Sequence, residues 1–134
     1  MKLLTFILIL ILCAVFTRNM MFSFRSQKPE DYAATTPEFS MIKHMSGPMI
    51  SEGMIFGPNG KVTNRFVAQM NGVWTGNSGA LTEDFTYSNG SIQNRKWNVV
   101  LGENGTFTAT ADDIVGVAKG KISGATATVL YRIT

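Results

Sequence analysis

From about residue 49 to the C-terminus, apolar and polar side chains alternate with a period of two, interrupted by clusters of glycine and asparagine. In "TFTATA", Phe107, Ala109 and Ala111 fall on one side and Thr106, Thr108 and Thr110 on the other. In "ATATVLYRIT", Ala125, Ala127, Val129, Tyr131 and Ile133 oppose Thr126, Thr128 and Arg132. Successive side chains on a strand point to opposite faces, so the pattern predicts strands with one apolar side. Seven runs qualify, at 49–56, 62–71, 80–88, 91–101, 106–111, 114–121 and 125–133. "GPNG" at 57–60, with Gly60 in the left-handed position, "SNGS" at 88–91 and "GENGT" at 102–106 read as the turns that join antiparallel neighbours. A sequential sheet of this size has to curl or close to cover its apolar face. The predicted fold is therefore all-β, an antiparallel up-and-down meander forming a barrel or an incomplete half-barrel.

Ahead of the strands, "TPEFSMIKHMSG" predicts a short helix with Thr36 as N-cap, Pro37 at the first position, Glu38 in the first turn and Gly47 as the stop. Phe39, Ile42 and Met45 recur at spacing three, and Met41 and Met45 at spacing four, a stripe that reads as gap-filling core. "SQKPEDYAATTPE" is polar and proline-bearing, as a tether would be. The chain opens with "LLTFILILILCAVF" at 3–16, apolar except for Thr5 and set between Lys2 and Arg18, which is signal-peptide or anchor anatomy. As a helix this run spans roughly 21 Å, short of the ~30 Å hydrocarbon core, so a spanning anchor would recruit flanking residues around 20–24. Lys2 precedes the run while Arg18, Arg25 and Lys28 follow it, which conflicts with export under the positive-inside rule. The expected organisation is a signal or membrane-anchor segment at 1–24, a polar tether at 25–36 and a β-barrel-like domain at 37–134.

Composition narrows the function classes. With 134 residues, 45% of them hydrophobic, the part beyond the leader holds a single core. Cys13 is the only cysteine and has no intramolecular partner. The net charge of +3 comes from scattered Lys and Arg, with no basic run and no interleaved aromatics, so nucleic acid is not an expected partner. His44 has no other His or Cys nearby, so no metal site, cofactor or general base is assigned to it. Asn89-Gly90-Ser91 and Asn104-Gly105-Thr106 match the glycosylation acceptor pattern but are read as turns. "GKVTNRF" and "GVAKGKISG" fit no phosphate loop because no helix follows them; Gly116, Gly120 and Gly124 are read as relief points where a curved sheet bends.

The densest chemistry lies in "EDFTYSNGSIQNRKW" at 83–97. Taking Asn89-Gly90 as a two-residue loop sets Asp84 opposite Arg95, Glu83 opposite Lys96, Phe85 opposite Asn94, Tyr87 opposite Ile92 and Thr82 opposite Trp97. One ion pair then lies on the covered side, where it fixes register. Glu83 and Asp84 face opposite ways and cannot form an acid/base couple, and the same reasoning weakens Asp112 and Asp113 as a dyad unless the chain is irregular there.

The segments "GPMISEGMIFGPNGKVTNRF", "GVWTGNSGALTEDFTYSNGSIQNRKW" and "ATADDIVGVAKGKISG" together resemble a bacterial domain-of-unknown-function family of small envelope lipoproteins. The likeness runs from about Phe39 to Tyr131 and rests on Glu83, Asp84, Phe85, Tyr87, Gly90, Arg95, Trp97, Ala111, Asp112, Asp113 and Gly116. It implies a lipocalin-like (calycin) barrel, lipid anchoring in the cell envelope and lipid handling, and it supplies no catalytic residues. Two departures stand out: Leu12 occupies the position before Cys13 where a lipobox needs a small residue, and the chain stops inside an alternating strand where the family continues for several more. A truncated or open barrel is therefore expected, with an unpaired edge open to a protein partner.

The leading expectation is a non-enzymatic, membrane-associated protein of the bacterial envelope, its domain periplasmic, that binds a lipid or other hydrophobic molecule. Arg65, Trp74, Phe85, Tyr87, Arg95 and Trp97 are the candidate ligand-binding residues. The alternatives are a structural or interaction module of the envelope, and an enzyme gathering Glu83, Arg65, Arg95 and Asp112 in a polar cavity.

Overall fold

The computed structural model describes residues 2–21 and 26–134; the expected boundary between anchor and tether, at 24/25, lies outside the described residues. Strands β1 (Gly47–Phe56), β2 (Val62–Thr75), β3 (Ser78–Tyr87), β4 (Ile92–Leu101), β5 (Thr106–Thr110), β6 (Ala118–Ser123) and β7 (Thr126–Leu130) pair in sequence order into one antiparallel sheet. The sheet curls into a half-barrel in which β1 and β7 are the edges.

Alternation sets its two faces. Met49, Phe66, Ala68, Met70, Trp74, Leu81, Phe85, Trp97, Val99, Phe107, Ala109 and Ala118 point inward, and Ile50, Val67, Val73, Ile92 and Val100 point to solvent. Pairing puts Val129 and Ala127 on the inward face opposite Gly120 and Ile122, as their alternation predicts, but on an edge strand Val129 stays exposed. Two joined clusters make the core, one around Leu81, Trp97, Val99 and Phe107, the other around Ala68, Met70 and Phe85. Among the described residues no large side chain falls below 2% exposure, as expected where a curled sheet is covered by short segments and not by a second layer.

Three glycines let aromatic rings lie flat along the inner wall. Phe66 covers its cross-strand partner Gly53, Trp74 covers Gly79 and Phe107 covers Gly120, and in each case a Cβ on the glycine would collide with the ring. An aromatic over a cross-strand glycine restores the packing the glycine lacks and permits the local bend.

The predicted helix starts late. Helix α2 covers only Met41–His44, capped by Ser40, whose Oγ accepts from Lys43 N–H at 3.3 Å. Thr36, Pro37 and Glu38 are non-helical, because Phe39 N–H donates to the Gly124 carbonyl at 2.8 Å and draws the chain to the β6/β7 turn. Met41 is core and Met45 packs against it, whereas Ile42 is exposed. His44 Nδ1 accepts from Ser40 N–H at 3.1 Å, closing the same turn. The segment read as a tether contains a 3-10 turn, Pro29–Tyr32, lying against β6 and β7, and Thr35 Oγ1 accepts from Ala125 N–H at 2.9 Å.

Helix α1 (Lys2–Met21) is apolar on all sides and exposed throughout its described side chains. Among the described residues no helix is long and apolar enough to cross a membrane.

Candidate functional site

The β3/β4 hairpin settles the register. Gly90 N–H donates to the Tyr87 carbonyl at 2.9 Å and Tyr87 N–H to the Ser91 carbonyl at 2.9 Å, so the loop is the three residues Ser88, Asn89 and Gly90, with Gly90 at φ 84°. This is a type I turn closed by a glycine bulge, one residue longer than the two-residue loop read from the sequence. Every expected pair therefore slips by one: Glu83 faces Arg95, Asp84 faces Asn94, Thr82 faces Lys96, and Leu81 faces Trp97. The expected pairs of Asp84 with Arg95 and Glu83 with Lys96 do not form. A one-residue slip moves a strand's side chains to the other face of its partner. As a result Glu83, Phe85, Tyr87, Gln93, Arg95 and Trp97 all share the inner wall, while Asp84 and Lys96 face solvent.

The seven-residue connection 111–117 closes the site from above. It is irregular instead of the start of a strand, since β6 begins at Ala118. Ile114 is buried and forms a bridge with Ile133, and Val115 N–H donates to the Arg132 carbonyl at 2.8 Å. These contacts bring Asp113 over Arg95. Arg95 Nη2 lies 2.6 Å from Asp113 Oδ2, and Nε donates to both carboxylate oxygens at 2.9 and 3.0 Å. The Arg95 side chain is 7% exposed and Asp113 29%.

A hydrogen-bonded line extends from this pair. Gln93 Nε2 donates to Asp113 Oδ2 at 2.9 Å, and Tyr87 Oη donates to Gln93 Oε1 at 2.9 Å. Aromatic rings surround the guanidinium, with Trp97, Phe85 and Tyr131 centroids at 5.4, 5.6 and 5.9 Å. Tyr131, just past the end of β7, stands edge-on to Trp97 at 5.3 Å, on the side its alternation predicts. Such contacts contribute about 0.5–1 kcal/mol at exposed sites and about 2 kcal/mol where the cation is desolvated.

Glu83 does not join the ion pair. Its Oε2 accepts from Trp97 Nε1 at 3.0 Å. Burial pushes its carboxyl above the ordinary value, against the opposing effects of the Trp97 hydrogen bond and the Arg95 charge. Burial also works against the Arg95 charge, but hydrogen bonding and Coulomb attraction from Asp113 outweigh it and hold the guanidinium above its usual value. Hydrogen bonding from Arg95 holds Asp113 below the usual carboxylate range. Burial raises the Tyr87 hydroxyl despite the Arg95 charge.

Of the residues singled out in the sequence, the structure brings Phe85, Tyr87, Arg95 and Trp97 together. Phe66, Phe85 and Tyr87 form a ring cluster, Phe66 edge-on to Phe85 at 5.1 Å and Tyr87 stacked on Phe85 at 5.7 Å. Trp74 lies on the same wall, packed against the cluster of Leu81 and Trp97, and its Nε1 donates to the Met45 carbonyl at 2.8 Å. Arg65 is on the outer face, in the row of Met54. It lines a shallow 550 Å³ groove with Glu52, Met54, Val67 and Thr86 of the outer rows and with Gly53, Phe66 and Tyr87 of the inner row. Asp112 is exposed and Arg65 faces outward, so Glu83, Arg65, Arg95 and Asp112 do not gather in one polar cavity; Asp113 takes the place at Arg95. No group of three or more His, Cys, Asp or Glu placed to hold a metal occurs among the described residues.

The geometry defines a half-barrel with a packed aromatic wall and one shielded ion pair. The chain belongs to the DUF3833 family, proteins of unknown function, whose model matches residues 18–134. Comparison with curated proteins and with solved structures gave no match.

Proposed function

We propose that this protein is a membrane-associated half-barrel of the bacterial cell envelope whose periplasmic domain binds a hydrophobic small molecule or lipid, such as a fatty acyl chain, on its inner wall. The observation that carries this reading is the wall itself. Rings laid flat over Gly53, Gly79 and Gly120, with the unbranched Met49 and Met70 between them, make a smooth apolar surface able to adjust to a chain. Phe66, Met49 and Tyr87 keep part of their surface open at the β1 side of that wall. Helix α1 supports membrane association, since a helix apolar all round has no preferred side to bury against a domain. Native mass spectrometry and lipid extraction of the full chain, taken from membranes in mild detergent, test the reading. A stoichiometric lipid is expected; protein that carries none under any extraction condition refutes it.

A second reading, a structural or protein-interaction module of the envelope, is favoured by β1. This ten-residue edge strand pairs only with β2 and exposes Ile50 and Met54, and such an edge is a template for a further strand. Photo-cross-linking from Ile50 in cells separates the two: one dominant protein adduct supports this reading, and lipid adducts alone support the first.

A further inference from the structure

Charge on the inner wall is sparse and unevenly matched. By alternation the inward rows of all seven strands carry two charged residues, Glu83 and Arg95, and the covering loop adds Asp113. Glu52, Arg65, Asp84, Lys96, Lys119 and Lys121 belong to the outward rows, and Lys43 and Arg132 of the covering segments are exposed. The one inward base is already paired: its Nε and Nη2 bond Asp113, and three ring centroids lie within 6 Å of its guanidinium carbon. That leaves Glu83 as a surplus acid. It shares its face with Leu81 and Phe85, Met70 is its cross-strand neighbour, and Trp97 Nε1 is the single hydrogen-bond donor to its carboxylate among the described residues.

An anionic head group that reaches the inward row beside Glu83 finds the one base of that row already paired with Asp113 and meets a half-buried carboxylate, while Arg65, which lines the groove beside Phe66 and Tyr87, stands on the outward row. Like charges brought together out of water repel strongly, and such repulsion is a common way to exclude a near-homologous ligand. Building on the ligand-binding reading above, we propose that the inner wall selects amphiphiles whose head group bears no negative charge, and that Glu83 sets this preference. Neutral glyceride and amine heads are accepted, and free carboxylate heads are refused.

The test uses the full chain at pH 7.5 and three probes of equal chain length, monolaurin, dodecylamine and laurate, with binding read by tryptophan emission and native mass spectrometry. Monolaurin and dodecylamine are expected to bind at least about tenfold more tightly than laurate. Glu83→Gln keeps an acceptor for Trp97 Nε1 and should bring laurate to within about threefold of monolaurin. Laurate binding as well as or better than monolaurin to the natural protein overturns the proposal without need of any variant. An unchanged ratio in folded E83Q overturns the role given to Glu83. Failure of all three probes to bind refutes the ligand-binding reading itself, and the selectivity falls with it.

Discussion

Glu83 stands directly across the β3/β4 ladder from Arg95, yet the two do not pair: Glu83 accepts from Trp97 Nε1 at 3.0 Å while Arg95 turns to Asp113 at 2.6 Å. An acid facing a base across a sheet ordinarily forms the bridge. Here the base reaches over to a loop and pins it, and the acid is left partly desolvated.

That arrangement has a sign in the pH dependence of stability. Glu83 has its carboxyl raised in the folded state, so the folded protein binds the proton more readily than the unfolded chain. The associated stability is complete below the ordinary value of 4.5 and is lost as pH rises through the folded pKa. Glu83→Gln should therefore raise the melting temperature at pH 7.5, with the advantage shrinking toward pH 4. Thermal melts of both proteins across this range check it; an E83Q protein that melts lower at pH 7.5 contradicts the assignment.

Asp113 behaves in the opposite sense. Its carboxyl is lowered by Arg95, so its contribution is present above the ordinary 3.8 and is lost as pH falls through the folded value. Asp113→Asn strands a guanidinium whose side chain is 7% exposed and should cost about 2–3 kcal/mol at neutral pH, less than a fully enclosed pair because Asp113 keeps some water. Asp112→Asn, one position away and exposed, should stay within about 0.5 kcal/mol of the natural protein. Urea titration of the two variants distinguishes them.

Gly72 tests the cover over the Trp74 half of the wall. A Cβ there would run into the Met45 carbonyl, the same group that accepts from Trp74 Nε1 at 2.8 Å. Gly72→Ala should destabilise by about 2–3 kcal/mol and loosen the segment carrying α2, giving red-shifted tryptophan emission and faster tryptic cleavage at Lys43. Gly76, a turn glycine with open space around it at φ 56°, gives a comparison in which backbone strain acts without a clash.

The exposed edge predicts a change in association without a change in stability. Met54→Lys places a charge on an exposed position of β1 and should leave the melting temperature nearly untouched while lowering self-association in light scattering. A marked loss of stability would mean that Met54 is packed in the protein.

The number of strands, their antiparallel order and the apolar face of most of them were legible because period two and glycine turns are local signals. Register was less so. "SNG" suits both a two-residue and a three-residue loop, and only the hydrogen bond from Gly90 N–H to the Tyr87 carbonyl decides between them. That one residue moved Arg95 from the partner of Asp84 to the partner of Glu83. Asp113 could not be chosen over Asp112 from alternation, since the connection 111–117 has no regular period; the buried Ile114 beside it is the only local hint. Thr36 looked like a helix cap because Pro37 and Glu38 follow it, but the long-range bond from Phe39 to Gly124 overrides that local preference. Arg65 is adjacent to Phe66 on β2, so alternation gives it the outward row while leaving it on the rim of the groove that Phe66 and Tyr87 also line.

The carbonyl of Tyr32 lies so close above Gly124 that no side chain could stand between them, and Thr35 holds the neighbouring Ala125. Because strands alternate in direction, the turns at 76–77, 102–105 and 124–125 share one rim, and 57–61, 88–90 and 111–117 share the other. Five peptide steps from Met21 to Ser26 reach at most roughly 18 Å. The end of helix α1 is thus tied within that distance of Ser26, on the stretch of chain that leads to the first rim, whereas Tyr87 and Asp113 lie toward the far one.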